Sequence, residues 1–166
     1  SMTAATKDGN VTFLFVTLDW SPAIPDVTKL QGDWETEWLI ESGKQLAAQD
    51  GFSGLLFQIK GDTFVVAERK PDGEKTEVDT GRIEINSTAD PKTIDFIDRN
   101  HPNKRSLGIY ELKHGVLRVC LVDTGGMDAP PGERFPEAKP VKRPTSFESP
   151  AGSNILLMEF HRKSDN

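Results

Sequence analysis

The sequence predicts an all-β fold, an antiparallel up-and-down barrel of about eight strands that follows an N-terminal extension. Two observations predict this class. Segments rich in β-branched and aromatic residues recur along the chain and are joined mostly by short turns. Parallel strands would need long crossover connections, which this order of segments lacks. Closing the sheet into a barrel would also remove its exposed edges.

The clearest local signal lies in residues 106–122, where two apolar runs meet at His114-Gly115. An X-Gly pair between such runs is typical of a type I′ hairpin turn, because glycine readily takes a positive φ. With this turn at the centre, the register predicts a core-facing set: Gly108, Tyr110, Leu112, Leu117, Val119 and Leu121. The opposite face carries an opposite-charge pair and two apolar side chains: Glu111, Arg118, Ile109 and Cys120.

Six further strands are predicted around this hairpin, over 34–41, 52–59, 63–69, 76–85, 93–97 and 153–162. Turn residues separate several of them, as in Gly61-Asp62 and Pro71-Asp72-Gly73. In the first strand, the residues expected to face inward alternate with glutamates, and Leu39 breaks the alternation: Trp34, Thr36, Trp38 and Ile40. The stretch from 43 to 51 is predicted as a loop or a short helix.

Residues 1–29 are predicted to form an extension, and residues 30–163 the barrel domain. Ser1-Met2 is expected to be a remnant of tag removal. Residues 10–20 are rich in strand-forming types, and such a strand either covers the outer face of the hairpin or lies at an edge elsewhere. A helical turn over 27–30 is predicted, with Asp26 as its N-cap.

Composition excludes some partners. The formal charge is −6 and the pI is near 5.1, whereas nucleic acids and anionic membranes select for concentrated lysine and arginine. No apolar run is long enough to span a membrane, so no membrane insertion is predicted. Cys120 is the single cysteine, so no intramolecular disulfide can form, and we expect a buried thiol. The oligomeric state is left open.

A long connection over 123–150 contains six prolines and is predicted to be irregular. Arg143 and Phe147 lie near its end. Two alternatives remain for them: they form a lid that contacts a ligand, or they pin the connection to the barrel.

The candidate ligand-binding residues are Trp34, Trp38, Tyr110, Arg143 and Phe147. An eight-stranded barrel is just wide enough to hold one small ligand or to be filled by side chains, so the first three of these residues either line a ligand or fill the core. No histidine spacing predicts a metal site, and no cofactor is predicted. No catalytic motif with supporting context is present, so the sequence favours a non-catalytic protein.

Gly32-Asp33-Trp34 resembles the G-x-W signature of lipocalins and other calycins. In that superfamily the tryptophan closes the base of the barrel and a basic residue from the last strand lies across it. The resemblance therefore implies a structural role for Gly32, Trp34 and Arg162, with the guanidinium against the ring.

A longer resemblance covers Leu30 to about Lys163. The ordered segments LQGDW, LGIYEL, LRVCL and RPTSF, followed by a last apolar strand, resemble the uncharacterised lipocalin-like domain common in planctomycete proteins. That resemblance implies a lipocalin-like barrel and a frequently exported setting. It implies no activity.

Two functions from different classes remain open. In the first, the module binds a small apolar or amphipathic ligand inside the barrel. In the second, the barrel is full and the module has a structural or protein-interaction role. Catalysis on a bound ligand is the third and least supported alternative, and a calculation of the interior cavity would separate the first two.

Overall fold

The computed structural model describes residues 24–122 and 142–163, together with the backbone of β1 (Met2–Lys7) and β2 (Asn10–Phe15). These two strands pair antiparallel in a sheet of their own. β2 coincides with the first part of the strand predicted over 10–20, and β1 adds to the predicted elements. Residues 16–23 lie outside the described part, as do the side chains of β1 and β2, so the cover predicted for the hairpin stays a prediction. Residues 123–141 of the proline-rich connection also lie outside it.

The remaining elements follow the predicted order closely. They are α1 (Asp26–Lys29), β3 (Gly32–Thr36), β4 (Leu39–Glu41), β5 (Lys44–Leu46), a 3-10 turn (Ala48–Asp50), β6 (Leu55–Lys60), β7 (Thr63–Arg69), β8 (Lys75–Asn86), β9 (Thr93–Asp98), β10 (Arg105–Lys113), β11 (Val116–Val122) and β12 (Ile155–Arg162). Every pairing among the strands is antiparallel. The stretch predicted as a loop or short helix contains β5 and the 3-10 turn.

Eight of these strands close into a barrel. Neighbours run β3, β6, β7, β8, β9, β10, β11 and β12, and β12 pairs back onto β3. β4 and β5 form an additional hairpin that joins the sheet along β12. The predicted fold class, an antiparallel all-β barrel of about eight strands, is therefore confirmed.

The β10–β11 hairpin has the predicted register. Lys113 pairs with Val116, and the pairing continues to Gly108 with Leu121. His114 and Gly115 form the turn with φ of 50° and 75°, the two positive values that a type I′ turn needs. The face predicted to be buried does pack in the barrel interior.

The first predicted strand is interrupted, and its predicted alternation is wrong beyond Thr36. The Thr36 hydroxyl donates to the Trp38 carbonyl over 2.7 Å and accepts from the Trp38 amide over 3.3 Å. This local turn ends β3 and reverses the faces of the residues after it. Leu39, which appeared to break the pattern, enters the core, whereas Ile40 packs on the outer surface.

The interior core draws side chains from every strand of the barrel and from the end of α1: Leu30, Trp34, Leu39, Leu55, Phe57, Ile59, Phe64, Ile83, Ile94, Tyr110, Leu117, Val119, Met158 and Phe160. A smaller cluster lies on the outer face of β10, β11 and β12, with Ile109, Cys120 and Leu157 buried under Phe147 and its neighbours. Cys120 is fully buried, as predicted, and burial raises the pKa of its thiol. In the described part of the chain, no helix has both the length and the apolar character needed to cross a membrane.

Candidate functional site

Trp34 occupies one end of the barrel interior and is completely buried. Its indole N–H donates to the Leu30 carbonyl over 2.9 Å, so the ring has no unsatisfied polar atom. Leu30 itself is the last residue of the turn that follows α1, and it is buried as well. The tryptophan therefore joins the short helix to the barrel and fills the space between them.

Arg162, from the end of β12, lies across Trp34 as the G-x-W resemblance implied. Its guanidinium carbon is 4.3 Å from the centre of the ring, well within cation–π range. The same group donates to the Gln31 carbonyl over 2.8 Å and to the Lys29 carbonyl over 2.5 Å. The predicted contact is confirmed, and the arginine also binds two carbonyl groups at the end of α1.

Gly32 gives this arginine its space. A Cβ at this position would lie 3.1 Å from a guanidinium nitrogen of Arg162, and the residue has a φ of 113°, which side chains strongly disfavour. Glycine therefore meets two requirements at once, a backbone conformation and a close approach.

Tyr110 is fully buried, and its hydroxyl donates to the Asp26 carboxylate over 2.8 Å. Lys92 donates to the same carboxylate oxygen over 2.6 Å. The Lys92 hydrogen bond is the main reason why the pKa of Asp26 is lowered, while burial, followed by the Asp26 contact, raises the pKa of Tyr110. Asp26 thus keeps its charge and fixes the tyrosine. It is the first residue of α1 and makes no side-chain cap, so the predicted N-cap role is wrong; Pro25 holds the N-cap position.

A concavity of about 350 Å³ lies at this end of the barrel, bordered by Trp34, Arg162, Asp26 and Lys92. Its walls come from α1, β3, the loop before β9, the β10–β11 hairpin and the end of β12: Asp26, Lys29, Trp34, Lys92, Leu112, His114, Gly115 and Arg162. The sequence predicted only Trp34 and Arg162 among them. Lys92 carries no motif by which it could have been found, and Asp26 was noticed only as a helix cap.

Four phenylalanines pack together in the rest of the interior, among aliphatic side chains. Phe57 contacts three other rings, with centroids 5.4 Å away for Phe160, 5.8 Å for Phe96 and 6.3 Å for Phe64. Phe64 and Phe96 meet edge to face at 5.2 Å. Such distances are those of directly packed aromatic pairs. Sequence reasoning did not single out these rings, because their contacts join different strands.

Trp38 does not join Trp34 and Tyr110. It lies between β3 and β4, is only half-buried, and belongs to neither core cluster. The interruption after Thr36 accounts for this, since it removes Trp38 from the inward series. The structure therefore brings together two of the three predicted aromatic residues, and both are buried in the interior core.

Arg143 and Phe147 lie on the outside of the barrel. Arg143 donates to Asp95, over 2.5 and 3.2 Å, and to the Gly108 carbonyl over 2.7 Å. Phe147 packs on the outer cluster, with the Arg118 guanidinium 5.2 Å from its ring. These contacts match the alternative in which both residues pin the connection to the barrel. They are separated from Trp34 and Tyr110 by the sheet itself.

Asp79 is a half-buried carboxylate that sequence reasoning missed. It lies on β8 beside a β-bulge, where Val66 faces Asp79 and Ala67 faces Glu77. Burial, followed by repulsion from Asp98, raises its pKa to about 6. The folded state therefore binds this proton more tightly than the unfolded state, so ionisation of Asp79 destabilises the fold, and the unfolding free energy falls as pH rises from about 4 to about 6.

Replacement of Asp79 by asparagine is expected to stabilise the protein by about 1 kcal/mol near neutral pH, after allowance for partial exposure, and to have little effect near pH 4. Urea unfolding at both pH values measures this difference. Asp62→Asn, in the exposed turn between β6 and β7, is the control and should change neither value. Equal stabilisation of the Asp79 variant at both pH values would contradict the assignment.

The three histidines are dispersed, at 101, 114 and 161, and all are exposed. Within residues 24–122 and 142–163, no three His, Cys, Asp or Glu side chains come together as a metal site. His101 lies 3.5 Å from Asp98 and His161 lies 3.7 Å from Glu159, so each has a carboxylate neighbour. These contacts are surface pairs.

Comparison of the chain with protein-family models, with curated proteins and with solved structures finds no match. The lipocalin-like family implied by the sequence segments therefore stays a prediction. The features of this chain that agree with the prediction are the arrangement of Gly32, Trp34 and Arg162 and the closed barrel.

Proposed function

We propose that this protein is a non-catalytic module of lipocalin-like type, in which the barrel interior is a scaffold filled by side chains and the module has a structural or protein-interaction role. This is the second of the two functions that the sequence left open. The observation that carries it is the packed interior, where two of the residues expected to line a ligand, Trp34 and Tyr110, fill the core instead.

Trp34 and Tyr110 support this proposal most directly. Both are fully buried, and each has its polar atom bonded to the protein, the indole to Leu30 and the hydroxyl to Asp26. A residue that orients a ligand keeps a polar group available to it, whereas these two direct theirs to the end of the barrel. The four contacting phenylalanines pack together in the interior, where an apolar ligand would have to lie.

The lipocalin-like assignment within the proposal is supported by the G-x-W arrangement. The contact between Arg162 and Trp34 needs a glycine at 32 and joins the start of β3 to the end of β12, where the barrel closes. A β-sandwich has no equivalent need for such a contact, since its sheet is not closed on itself.

A neutral apolar probe tests whether the interior is filled. Benzene is expected to give no saturable chemical-shift changes in the wild-type protein, because close-packed interiors have no room for it. Phe57→Ala and Leu117→Ala are positive controls, since each removes a buried side chain and leaves an apolar cavity of the kind that binds benzene. Saturable binding by the wild-type protein, with shifts at the interior core residues, would overturn the filled-scaffold proposal.

A further inference from the structure

The concavity at the Trp34 end of the barrel carries an excess of positive charge. Lys29, Lys92 and Arg162 line it with one carboxylate, Asp26, so three positive groups and one negative group leave a formal charge of +2. The whole chain carries −6. A positive concavity on an acidic protein needs a physical explanation, because composition alone would make this surface negative.

We propose that this concavity is a binding site for a small molecule that carries an oxyanion, a phosphate or a carboxylate. Lys29 and Lys92 would contact the oxyanion, and Arg162 would supply positive charge from the wall of the concavity. The proposal goes beyond the filled-scaffold function, since that function concerns the interior and does not require any ligand.

Two of the three positive groups are held in place before any ligand arrives. Arg162 is fixed between the Trp34 ring and two backbone carbonyls, and none of the described carboxylates lies within ion-pair distance of it. Within residues 24–122 and 142–163, its charge is therefore not neutralised by a carboxylate. Lys92 is held by Asp26 over 2.6 Å and lies 6.0 Å from the centre of the Tyr110 ring. Pre-positioned charges bind anions better than mobile ones, since less side-chain entropy is lost.

Lys29 is the most available of the three. Its ammonium is 3.9 Å from Asp26, at the outer limit of an ion pair, and its side chain is 47% exposed. The Asp26 carboxylate already accepts closer hydrogen bonds from Lys92 and Tyr110. Asp26 therefore neutralises the charge of Lys29 only weakly, and the Lys29 ammonium retains N–H donors for a ligand.

The dimensions of the concavity limit the ligand to a small molecule. About 350 Å³ is at the lower end of the range for small-molecule sites, and Trp34, which lines the concavity, is fully buried and belongs to the interior core. Leu112 gives the wall a modest apolar component, so a short apolar group can accompany the oxyanion, whereas a long acyl chain has no space. At physiological ionic strength, screening over about 8 Å makes these nearby charges more important than the distant acidic surface.

Titration with inorganic phosphate, acetate and hexanoate, followed by amide chemical shifts at low ionic strength, tests the proposal. We expect saturable shifts for at least one of these anions in α1 and in the β10–β11 turn. Stronger binding of hexanoate than of acetate would assign a carboxylate with an apolar group, and preference for phosphate would assign a phosphorylated ligand.

Lys29→Gln is the decisive variant, because this side chain makes no close contact that the fold depends on. We expect its anion affinity to fall about fivefold, the scale of one partly exposed charge interaction. Lys75→Gln, an exposed lysine at the start of β8, is the matched control and should bind like the wild type. Equal affinities of Lys29→Gln and Lys75→Gln, or shifts that rise without saturation, would overturn the site. Neither result would affect the benzene experiment, so the two proposals fail separately.

Discussion

Replacement of Trp34 by alanine is expected to lower the free energy of unfolding by about 3–5 kcal/mol, the cost of removing a large buried ring. The ring is completely buried, it bonds Leu30, and it is the surface on which Arg162 lies. Its removal leaves a cavity at the end of the barrel and also removes the support of α1. Urea unfolding measures the loss.

Trp38→Ala is the matched control, four positions along the same chain segment. Trp38 is half-buried and belongs to neither core cluster, so its loss should cost clearly less than that of Trp34. Arg162→Ala should cost about 1–2 kcal/mol, and the double variant should show a non-zero coupling between Arg162 and Trp34. Similar losses for the two tryptophans would contradict the closing role assigned to Trp34.

Replacement of Gly81 by alanine is expected to destabilise the protein by about 3 kcal/mol or more, at the upper end of overpacking effects. A Cβ on Gly81 would meet the Ile97 carbonyl oxygen on the neighbouring strand β9, at a separation far below any real contact. The obstructing atoms belong to the backbone, so no side-chain rotation can relieve the clash. β8 and β9 would have to separate locally.

Gly73→Ala provides the comparison for this prediction. Gly73 has a φ of 88° but nothing within 4 Å of an added Cβ, so its substitution should cost only about 1–2 kcal/mol through backbone strain. Thermal and urea unfolding of both variants separate strain from steric overlap. A smaller loss at Gly81 than at Gly73 would show that the two strands do not approach as closely as described.

The β10–β11 hairpin shows how much of this fold can be predicted from local sequence. His114-Gly115 favours one turn type, and a two-residue turn leaves only one register for the flanking residues. The inward face then follows from the two-residue period of a strand. The same local signals predicted the seven strands from β6 to β12 within a few residues of their observed bounds.

The predictions failed where a specific side-chain hydrogen bond, and not the pattern of residue types, decided the structure. The Thr36 hydroxyl bonds to Trp38 and reverses the faces of β4, which no alternation of residue types can show. Asp26 was predicted to cap α1. Its carboxylate instead accepts hydrogen bonds from Lys92 and Tyr110, which lie 66 and 84 positions away in the chain. Partners at such separations become neighbours only once the barrel closes.

The sequence by itself therefore determined the all-β class, the strand order and the hairpin register, because turn chemistry and the period of a strand act between near neighbours. The resemblance to G-x-W proteins supplied the pairing of Trp34 with Arg162. Only the tertiary structure decided whether the interior is filled and where positive charge collects. The packing of the interior depends on side chains from every strand of the barrel. The positive charge depends on side chains from α1, the loop before β9 and the end of β12, which meet at one end of the barrel. Side-chain packing and local charge both depend on strands that are distant from one another in the chain, so no local sequence pattern predicts them.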